Sequence, residues 1–145
     1  HQNKLISTCM TVKSVKLYKN TIFKNKKGYL MRYISTKNSF FKRFGEIYFN
    51  YINYNKTKGW NLHKKNICLL ICVSGKVKFK IIDRKGKEVN IILDSKNGKI
   101  LKIPPNVWFS FKSIKTNSII ANLINYPHKD SEILKKNKVK DYLIK

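Results

Sequence analysis

The chain has 145 residues, which is long enough to bury a core, and we predict a single domain over residues 1–145. It carries a formal net charge of +25, and 29 of its 32 basic residues are lysine. No run of eighteen apolar residues and no basic-then-apolar leader is found, which excludes a membrane-spanning helix and predicts a soluble, cytoplasmic protein.

The basic excess favours an anionic partner, which could be nucleic acid, a membrane surface or a phosphate-bearing metabolite. A dedicated nucleic-acid binder usually concentrates its charge and uses arginine, whereas lysine is spread here from end to end. The A/T-rich codons of lysine, asparagine and isoleucine also account for much of the excess. The charge therefore supports attraction to anions but does not identify the partner. We predict neither a nucleic-acid nor a membrane partner, and we rank a basic nucleic-acid binder last among the alternatives.

The first third of the chain predicts three strands. Apolar and basic residues alternate over residues 11–24, and the turn sequence of residues 25–28 follows. Residues 29–35 form the second predicted strand. Residues 44–54 are rich in aromatic and β-branched side chains, which favour a third strand.

The central stretch, residues 58–75, passes from a basic segment into an apolar one. It contains the interior histidine His63 and the apolar run Ile67–Val73, and it ends at a Ser-Gly turn. Cys68 and Cys72 lie within the apolar run, where cysteine behaves as a small hydrophobic residue. They are predicted to be reduced core thiols.

The remainder predicts more short strands and a final helix. Residues 76–83 alternate strictly between apolar and basic residues, which is typical of a half-buried strand. Turns or a proline bend separate the further predicted strands, which are residues 89–93, 100–103, 107–111 and 118–124. This spacing indicates a sandwich or a closed barrel. Residues 133–140 are predicted to form a short helix.

His63 is the main candidate for chemistry. It could be a solvent-facing histidine at the start of a strand, or a general base, because an imidazole titrates near neutral pH and can accept a proton from carbon next to a carbonyl. A divalent metal needs several histidine or carboxylate ligands, whereas His63 is followed by Lys64 and Lys65, which are poor metal ligands. We therefore predict no metal site and no cofactor.

Aromatic and basic side chains near His63 allow two interpretations. Trp60 and Trp108 could line a pocket, while Phe109 and Phe111 are assigned to the core. A lysine run is usually a solvated face, although lysine beside a pocket can also hold a diphosphate. The lysines concerned are Lys58, Lys64 and Lys65.

Six ordered segments resemble the dTDP-4-dehydrorhamnose 3,5-epimerase family over residues 26–142. They are KKGYLMRYI, FGEIYFNYIN, KGWNLHKK, VSGKVKFKIID, LKIPPNVWFSFK and IANLINYPHKDSEI. The IPPNVW segment is also similar to the related cupin 3,4-ketoisomerases. The resemblance implies an all-β, cupin-type jelly-roll β-barrel with a short C-terminal helix.

The resemblance also implies residue roles, with several departures. His63 matches the family's base, and Asp141 falls near the aspartate that supports it, with Glu46 as a second candidate support. Other family positions hold different residues in this chain. Trp60 stands at the position of a family arginine, and Phe109 at that of a second histidine. A family lysine falls near Cys68, and the tyrosine that serves as general acid falls near Asn122. A glutamine and an asparagine of the family fall at Glu46 and Tyr48.

The resemblance therefore implies a homodimeric epimerase or isomerase acting on a nucleotide-linked 4-keto-6-deoxy sugar for surface-polysaccharide synthesis. His63 and Asp141 are the predicted catalytic residues. The predicted substrate-binding residues are Glu46, Tyr48, Lys58, Trp60, Lys64, Lys65, Trp108 and Asn122. The missing tyrosine and lysine leave open the alternative of a non-catalytic carbohydrate or nucleotide-sugar binding module.

Overall fold

Short strands make up most of the structure, a computed structural model that describes residues 4–5, 14–83 and 85–136. The strands are β1 Lys4–Leu5, β2 Lys16–Lys19, β3 Ile22–Asn25, β4 Gly28–Met31, β5 Glu46–Ile52, β6 Thr57–His63, β7 Cys68–Ser74, β8 Lys76–Ile82, β9 Glu88–Asp94, β10 Ile100–Ile103, β11 Trp108–Ser113, β12 Ser118–Ile124 and β13 Ile133–Lys135. No helix in these described ranges is long and apolar enough to cross a membrane.

The strands form two facing antiparallel sheets and a separate hairpin. The six-stranded sheet has the order β1-β2-β10-β7-β12-β5, and the five-stranded sheet has the order β13-β6-β11-β8-β9. Strands β3 and β4 pair only with each other in the described ranges. The predicted all-β, cupin-type jelly-roll is confirmed, and its interior is the space between the two sheets.

Strand β8 shows how the sequence pattern builds the core. Val77, Phe79 and Ile81 are fully buried, as their alternation with lysine predicts. The strand pairs with β11 on one side and β9 on the other. The apolar face of β7 lies in the opposite sheet, where Cys68 and Cys72 are buried free thiols, as predicted.

Replacing Phe79 with alanine is expected to lower the free energy of unfolding by about 3–5 kcal/mol, because the variant leaves a cavity in the core. The Phe79 ring lies 5.3 Å from the Phe111 ring, centroid to centroid, and is 0% exposed. Urea unfolding followed by circular dichroism measures the loss. The matched control is Ile92→Ala, at a side chain that is 45% exposed, and a cost as large as that of Phe79→Ala would contradict the assignment.

Two predicted elements need correction. The expected strand over residues 11–24 is interrupted, because β2 ends at Lys19 and β3 begins at Ile22 to form the hairpin with β4. The predicted helix over residues 133–140 is wrong at its start. A single 3₁₀ turn at Asp130–Glu132 leads into β13, which pairs antiparallel with β6. Residues 137–140 lie outside the described residues.

Residues 133–135 form a strand because the edge of β6 would otherwise be free. The Ile133–Lys135 backbone forms ladder hydrogen bonds with β6, where Ile133 lies opposite His63. Backbone N–H and C=O groups must find partners, and an unpaired strand edge supplies them as well as a helix does. The pairing continues beyond β13, with the Trp60 and Lys136 backbones exchanging two hydrogen bonds of 3.1 Å.

Candidate active site

A cavity of about 830 Å³ lies between the two sheets. Strands of the six-stranded sheet form one wall, and β6, β11 and the tail that follows β12 form the other. Its lining residues are Glu46, Tyr48, Asn50, Lys58, Gly59, Trp60, Asn61, His63, Leu70, Phe109, Phe111, Asn122, His128, Ile133, Lys135 and Lys136. This volume is within the range typical of small-molecule sites.

A bulge in β6 sets which of its side chains reach the cavity. Phe109 of β11 pairs with Asn61, whereas Ser110 pairs with Gly59, so Trp60 is the extra residue. Gly59 has φ +103°, and a Cβ there would lie 2.7 Å from the Phe109 carbonyl oxygen. Only glycine allows this close approach, which brings Asn61 and His63 to the cavity.

His63 is a buried imidazole held by a carboxylate. It is the last residue of β6 and is 4% exposed, so it is not solvent-facing, and it ends the strand instead of starting it. Its Nδ1 lies 2.7 Å from Oε1 of Glu132. The Phe109 ring lies nearly parallel to the imidazole, at 6.1 Å between centroids. No residue in the described part of the chain forms a hydrogen bond with the other ring nitrogen, Nε2.

Glu132 is positioned by the segment that follows β6. Its Oε2 accepts hydrogen bonds from the backbone N–H groups of Lys65 and Asn66, at 2.9 and 3.3 Å, and its Oε1 accepts one from Asn66 Nδ2 at 2.9 Å. Burial alone raises the pKa of Glu132, but the hydrogen bonds from Lys65, His63 and Asn66 outweigh it, so the pKa is lowered. The carboxylate is therefore ionised at neutral pH.

An ionised carboxylate can only accept hydrogen bonds, so Nδ1 of His63 is the donor in this pair. A neutral imidazole with its proton on Nδ1 has a lone pair on Nε2. The Glu132 contact therefore leaves the basic nitrogen of His63 available on the cavity side.

The lowered pKa of Glu132 predicts a loss of stability in acid. A carboxylate with a depressed folded-state pKa stabilises the protein above its unfolded value of 4.5, and that stabilisation is lost as the pH falls through the folded value. Wild-type protein should therefore be more stable than Glu132→Gln at pH 7, with the difference shrinking below about pH 4.5. Urea unfolding at pH 7 and pH 3 measures it, and an equal difference at both pH values would contradict this assignment.

Tyr48 and Asn122 form the polar part of the opposite wall. They are direct cross-strand partners on β5 and β12, and Asn122 Nδ2 donates to the Tyr48 hydroxyl at 2.8 Å. Asn122 is 2% exposed. Burial, and next the nearby Cys68, raise the pKa of Tyr48, so its phenol is protonated at neutral pH.

The predicted lysines divide into two groups. Lys58 lines the cavity, and its Nζ donates to Asn50 Oδ1 at 3.3 Å. Lys64 and Lys65 do not line it, because the chain turns away after β6 and both side chains are exposed. The Lys65 ammonium lies 3.8 Å from the centre of the Tyr126 ring. Lys135 and Lys136 of the tail replace them in the lining.

Trp108 also lies away from the cavity, contrary to its predicted role in substrate binding. It is 1% exposed and packs with Leu62 and Ile82 on the outer side of the five-stranded sheet. Because side chains alternate along β11, its neighbours Phe109 and Phe111 point inward. These two rings belong to the core, as predicted, and also line the cavity floor.

Among the described residues, the carboxylate beside His63 is Glu132. Glu46 lines the cavity but accepts a hydrogen bond from the His128 backbone N–H at 2.9 Å. Asp141 lies outside the described residues. In residues 4–5, 14–83 and 85–136, no three His, Cys, Asp or Glu side chains form a metal-binding group.

Sequence reasoning did not name several residues that line the cavity, and the polar ones are Asn50, Asn61, His128, Lys135 and Lys136. It also missed Glu132, which contacts His63. His128 contacts Asp130 through Nε2 at 2.9 Å, and it lies after the last predicted strand, where no pattern marks it. Asn50 and Asn61 alternate in step with the predicted residues Tyr48 on β5 and His63 on β6. Lys135 and Lys136 lie in the segment that was predicted to be a helix. Extending the inward alternation of β5 from Tyr48 would have identified Asn50.

Comparison with known proteins agrees with this architecture. The model of the family described as WxcM-like, C-terminal (FdtA), matches residues 13–143. No curated protein sequence matches the chain significantly.

Solved structures are similar over nearly the whole chain. A dTDP sugar isomerase from Desulfovibrio desulfuricans has 23% identity and a TM-score of 0.85, covering 91% of this chain and 89% of that one. A dTDP-6-deoxy-D-glucose-3,5-epimerase from Legionella pneumophila, in complex with dTDP-4-keto-L-rhamnose, has 15% identity and a TM-score of 0.83, covering 97% and 81%. The sugar 3,4-ketoisomerase QdtA from Thermoanaerobacterium thermosaccharolyticum, in complex with TDP, has 22% identity and a TM-score of 0.77, covering 92% and 94%. At these identities the likeness establishes the fold alone.

Proposed function

Since the chain belongs to the WxcM-like, C-terminal (FdtA) family, we propose that it isomerises or epimerises a nucleotide-linked 4-keto-6-deoxy sugar by removing a proton from carbon next to the ketone. The observation that carries this proposal is the 2.7 Å contact between Glu132 and the buried His63, which lies at the wall of a cavity large enough for a hexose. A general base needs an orienting acceptor and a free lone pair, and this pair supplies both.

The proposed chemistry is a proton transfer without a change in oxidation state. Nε2 of His63 accepts the proton on the carbon next to the ketone, and the electron pair of that C–H bond forms an enolate. The resulting imidazolium is stabilised by the Glu132 carboxylate, which holds the ring in one orientation. Return of a proton to the opposite face of the same carbon gives the epimer. Return to the former ketone carbon gives the isomer, because the hydroxyl proton of the first carbon passes to the former ketone oxygen and the first carbon becomes the new ketone.

The cavity residues suit a sugar attached to a diphosphate. Asn50, Asn61 and Asn122 offer amide donors and acceptors of the kind that bind sugar hydroxyls. Lys58 and Lys135 add positive charge to the lining, and lysine binds phosphate as a point charge. Structures similar in fold hold dTDP-linked ligands, which supports dTDP as the nucleotide to test first.

Deuterium exchange tests the proposal directly. The protein is incubated in D₂O with a dTDP-linked 4-keto-6-deoxyhexose, and NMR follows the signal of the hydrogen next to the ketone. We expect enzyme-dependent loss of that signal and the appearance of an isomer. A protein that binds the ligand without exchange would contradict the enzymatic proposal.

Binding without exchange would instead support the alternative of a non-catalytic sugar-nucleotide binding module. Two cavity residues support this alternative. Phe109 and Asn122 stand where the resemblance places a histidine and the tyrosine that serves as general acid. Isothermal titration with the same ligand separates this outcome from a protein that does not bind at all.

We also propose that the protein is a cytoplasmic homodimer acting in surface-polysaccharide synthesis, as the family resemblance implies. The outward face of β5 supports self-association, because Ile47, Phe49 and Tyr51 are 41%, 57% and 69% exposed. Residues 44–55, which include this strand, contain no lysine, so two copies could meet there with little charge repulsion. Sedimentation equilibrium should give twice the 17.1 kDa chain mass, and a monomer would contradict the proposal.

A further inference from the structure

Tyr48 and Asn122 face His63 across the cavity. The first two residues belong to β5 and β12 of the six-stranded sheet, and His63 belongs to β6 of the five-stranded sheet. A ligand between the sheets would therefore have the imidazole on one side and the Tyr48–Asn122 pair on the other.

The hydrogen bonds of this pair are incomplete. Asn122 Nδ2 donates to the Tyr48 hydroxyl oxygen, but Asn122 Oδ1 is fully buried and has no partner in the described part of the chain. The thiol of Cys68 adjoins the Asn122 amide, but a thiol is only a weak donor. Buried polar atoms are almost always paired, so an orphaned acceptor at a cavity wall indicates a donor that arrives with the ligand.

The Tyr48 hydroxyl group has a hydrogen-bond donor without an acceptor among the described residues. Its oxygen accepts the hydrogen bond from Asn122, and no residue in the described ranges accepts the Tyr48 hydroxyl proton. Its phenol is protonated at neutral pH, because burial raises its pKa. The pair thus presents one donor and one acceptor side by side, and turning the amide by 180° exchanges these roles without changing their number.

We propose that the Tyr48–Asn122 pair binds an α-hydroxyketone, with the Tyr48 hydroxyl donating to the ketone oxygen and Asn122 Oδ1 accepting from the adjacent sugar hydroxyl. This inference rests on the proposed function. A carbonyl beside a C–OH group is the arrangement that satisfies a neighbouring donor and acceptor together. The site would select a keto-sugar with a free hydroxyl next to the ketone.

The same contacts would assist the reaction. Nε2 of His63 takes the proton from the hydroxyl-bearing carbon next to the ketone. The electrons of that C–H bond form a C=C bond, and the carbonyl electrons move to the ketone oxygen. The negative charge therefore develops on the oxygen that contacts Tyr48. A donor already in place at a developing oxyanion lowers the barrier. His63 carries the abstracted proton, which exchanges with solvent deuterium before carbon is reprotonated.

Two variants and one matched control test the pair. Tyr48→Phe removes the donor and should slow deuterium exchange by about 10²-fold, with binding of dTDP itself retained. Tyr51→Phe removes a hydroxyl from the outward face of the same strand and should exchange like the wild type. Exchange by Tyr48→Phe at the wild-type rate would overturn the role of Tyr48.

Asn122 is tested by ligand preference, which a purely structural role would not change. Affinities for the 4-keto-6-deoxyhexose nucleotide and its 3-deoxy counterpart are measured in a His63→Asn background, so that neither is converted. With Asn122 intact the 3-hydroxy ligand should bind about tenfold more tightly, and Asn122→Leu should remove that preference. Equal affinities with Asn122 intact would overturn the inference.

These measurements separate the inference from the proposed function. If the wild type exchanges no deuterium, the proposed reaction fails, yet a preference that depends on Asn122 would still support the hydroxyketone site. If exchange occurs but neither variant changes it or the ligand preference, the reaction stands and the pair has another role.

Discussion

Replacing His63 with asparagine is expected to slow deuterium exchange into a dTDP-linked 4-keto-6-deoxyhexose by about 10²- to 10⁴-fold, the contribution typical of a general acid–base residue. The asparagine amide can still donate to Glu132, which keeps that carboxylate paired. It carries no basic nitrogen, however, so nothing on β6 can accept the proton from carbon. The exchange rate is measured by NMR in D₂O at saturating ligand.

The control for this variant is the affinity for dTDP, which should stay close to that of the wild type. dTDP lacks the sugar carbon from which His63 is proposed to remove a proton. A second variant, His63→Ala, should be equally inactive and also less stable, because Glu132 loses the hydrogen bond from Nδ1. Exchange at the wild-type rate in either variant would show that another group removes the proton.

Replacing Glu132 with glutamine should slow exchange by about 10²-fold or more while leaving dTDP binding intact. The glutamine amide can donate through its NH₂ group to Nδ1, and the imidazole would then carry its proton on Nε2. That tautomer has no lone pair toward the cavity, so the base is blocked although the ring stays in place. The expected signature is a lower exchange rate at saturation with unchanged nucleotide affinity.

Two companion variants separate this positioning role from a general effect of losing a carboxylate. Glu132→Asp keeps the charge and should recover part of the exchange rate. Glu88→Gln removes an exposed carboxylate on β9, and it should exchange like the wild type. If Glu132→Gln were as active as Glu88→Gln, the Glu132 contact would have no part in setting the tautomer of His63.

Local patterns were sufficient for the architecture. Strict alternation over residues 76–83 predicts a half-buried strand, and Val77, Phe79 and Ile81 are indeed 0% exposed. Alternation reports on burial directly, because successive side chains of a strand point to opposite faces. His63 was notable because its imidazole stands just before the apolar run Ile67–Val73.

Side-chain direction at the site was harder to predict than strand position. Trp108 was expected in the cavity, but the register of β11 on β8 points Trp108 outward. Its neighbour Phe109 points inward, where it joins the core, as predicted, and also lines the cavity. On β6, the bulge at Trp60 shifts the pairing with β11 by one residue. Such a shift reverses the facing of the β6 side chains beyond it, and the sequence of β6 does not reveal where it occurs.

The sequence by itself determined the all-β class and the choice of His63 as the candidate base, because both depend on local alternation and on residue type. Only the tertiary structure decided the partners, because they depend on strand pairing over long distances in the chain. Glu132 reaches His63 across 69 positions since β13 adds to the edge of β6, and Asn122 meets Tyr48 across 74 positions since β12 pairs with β5. The tail of the chain looked helical, but hydrogen bonding to a free strand edge outweighed its local preference.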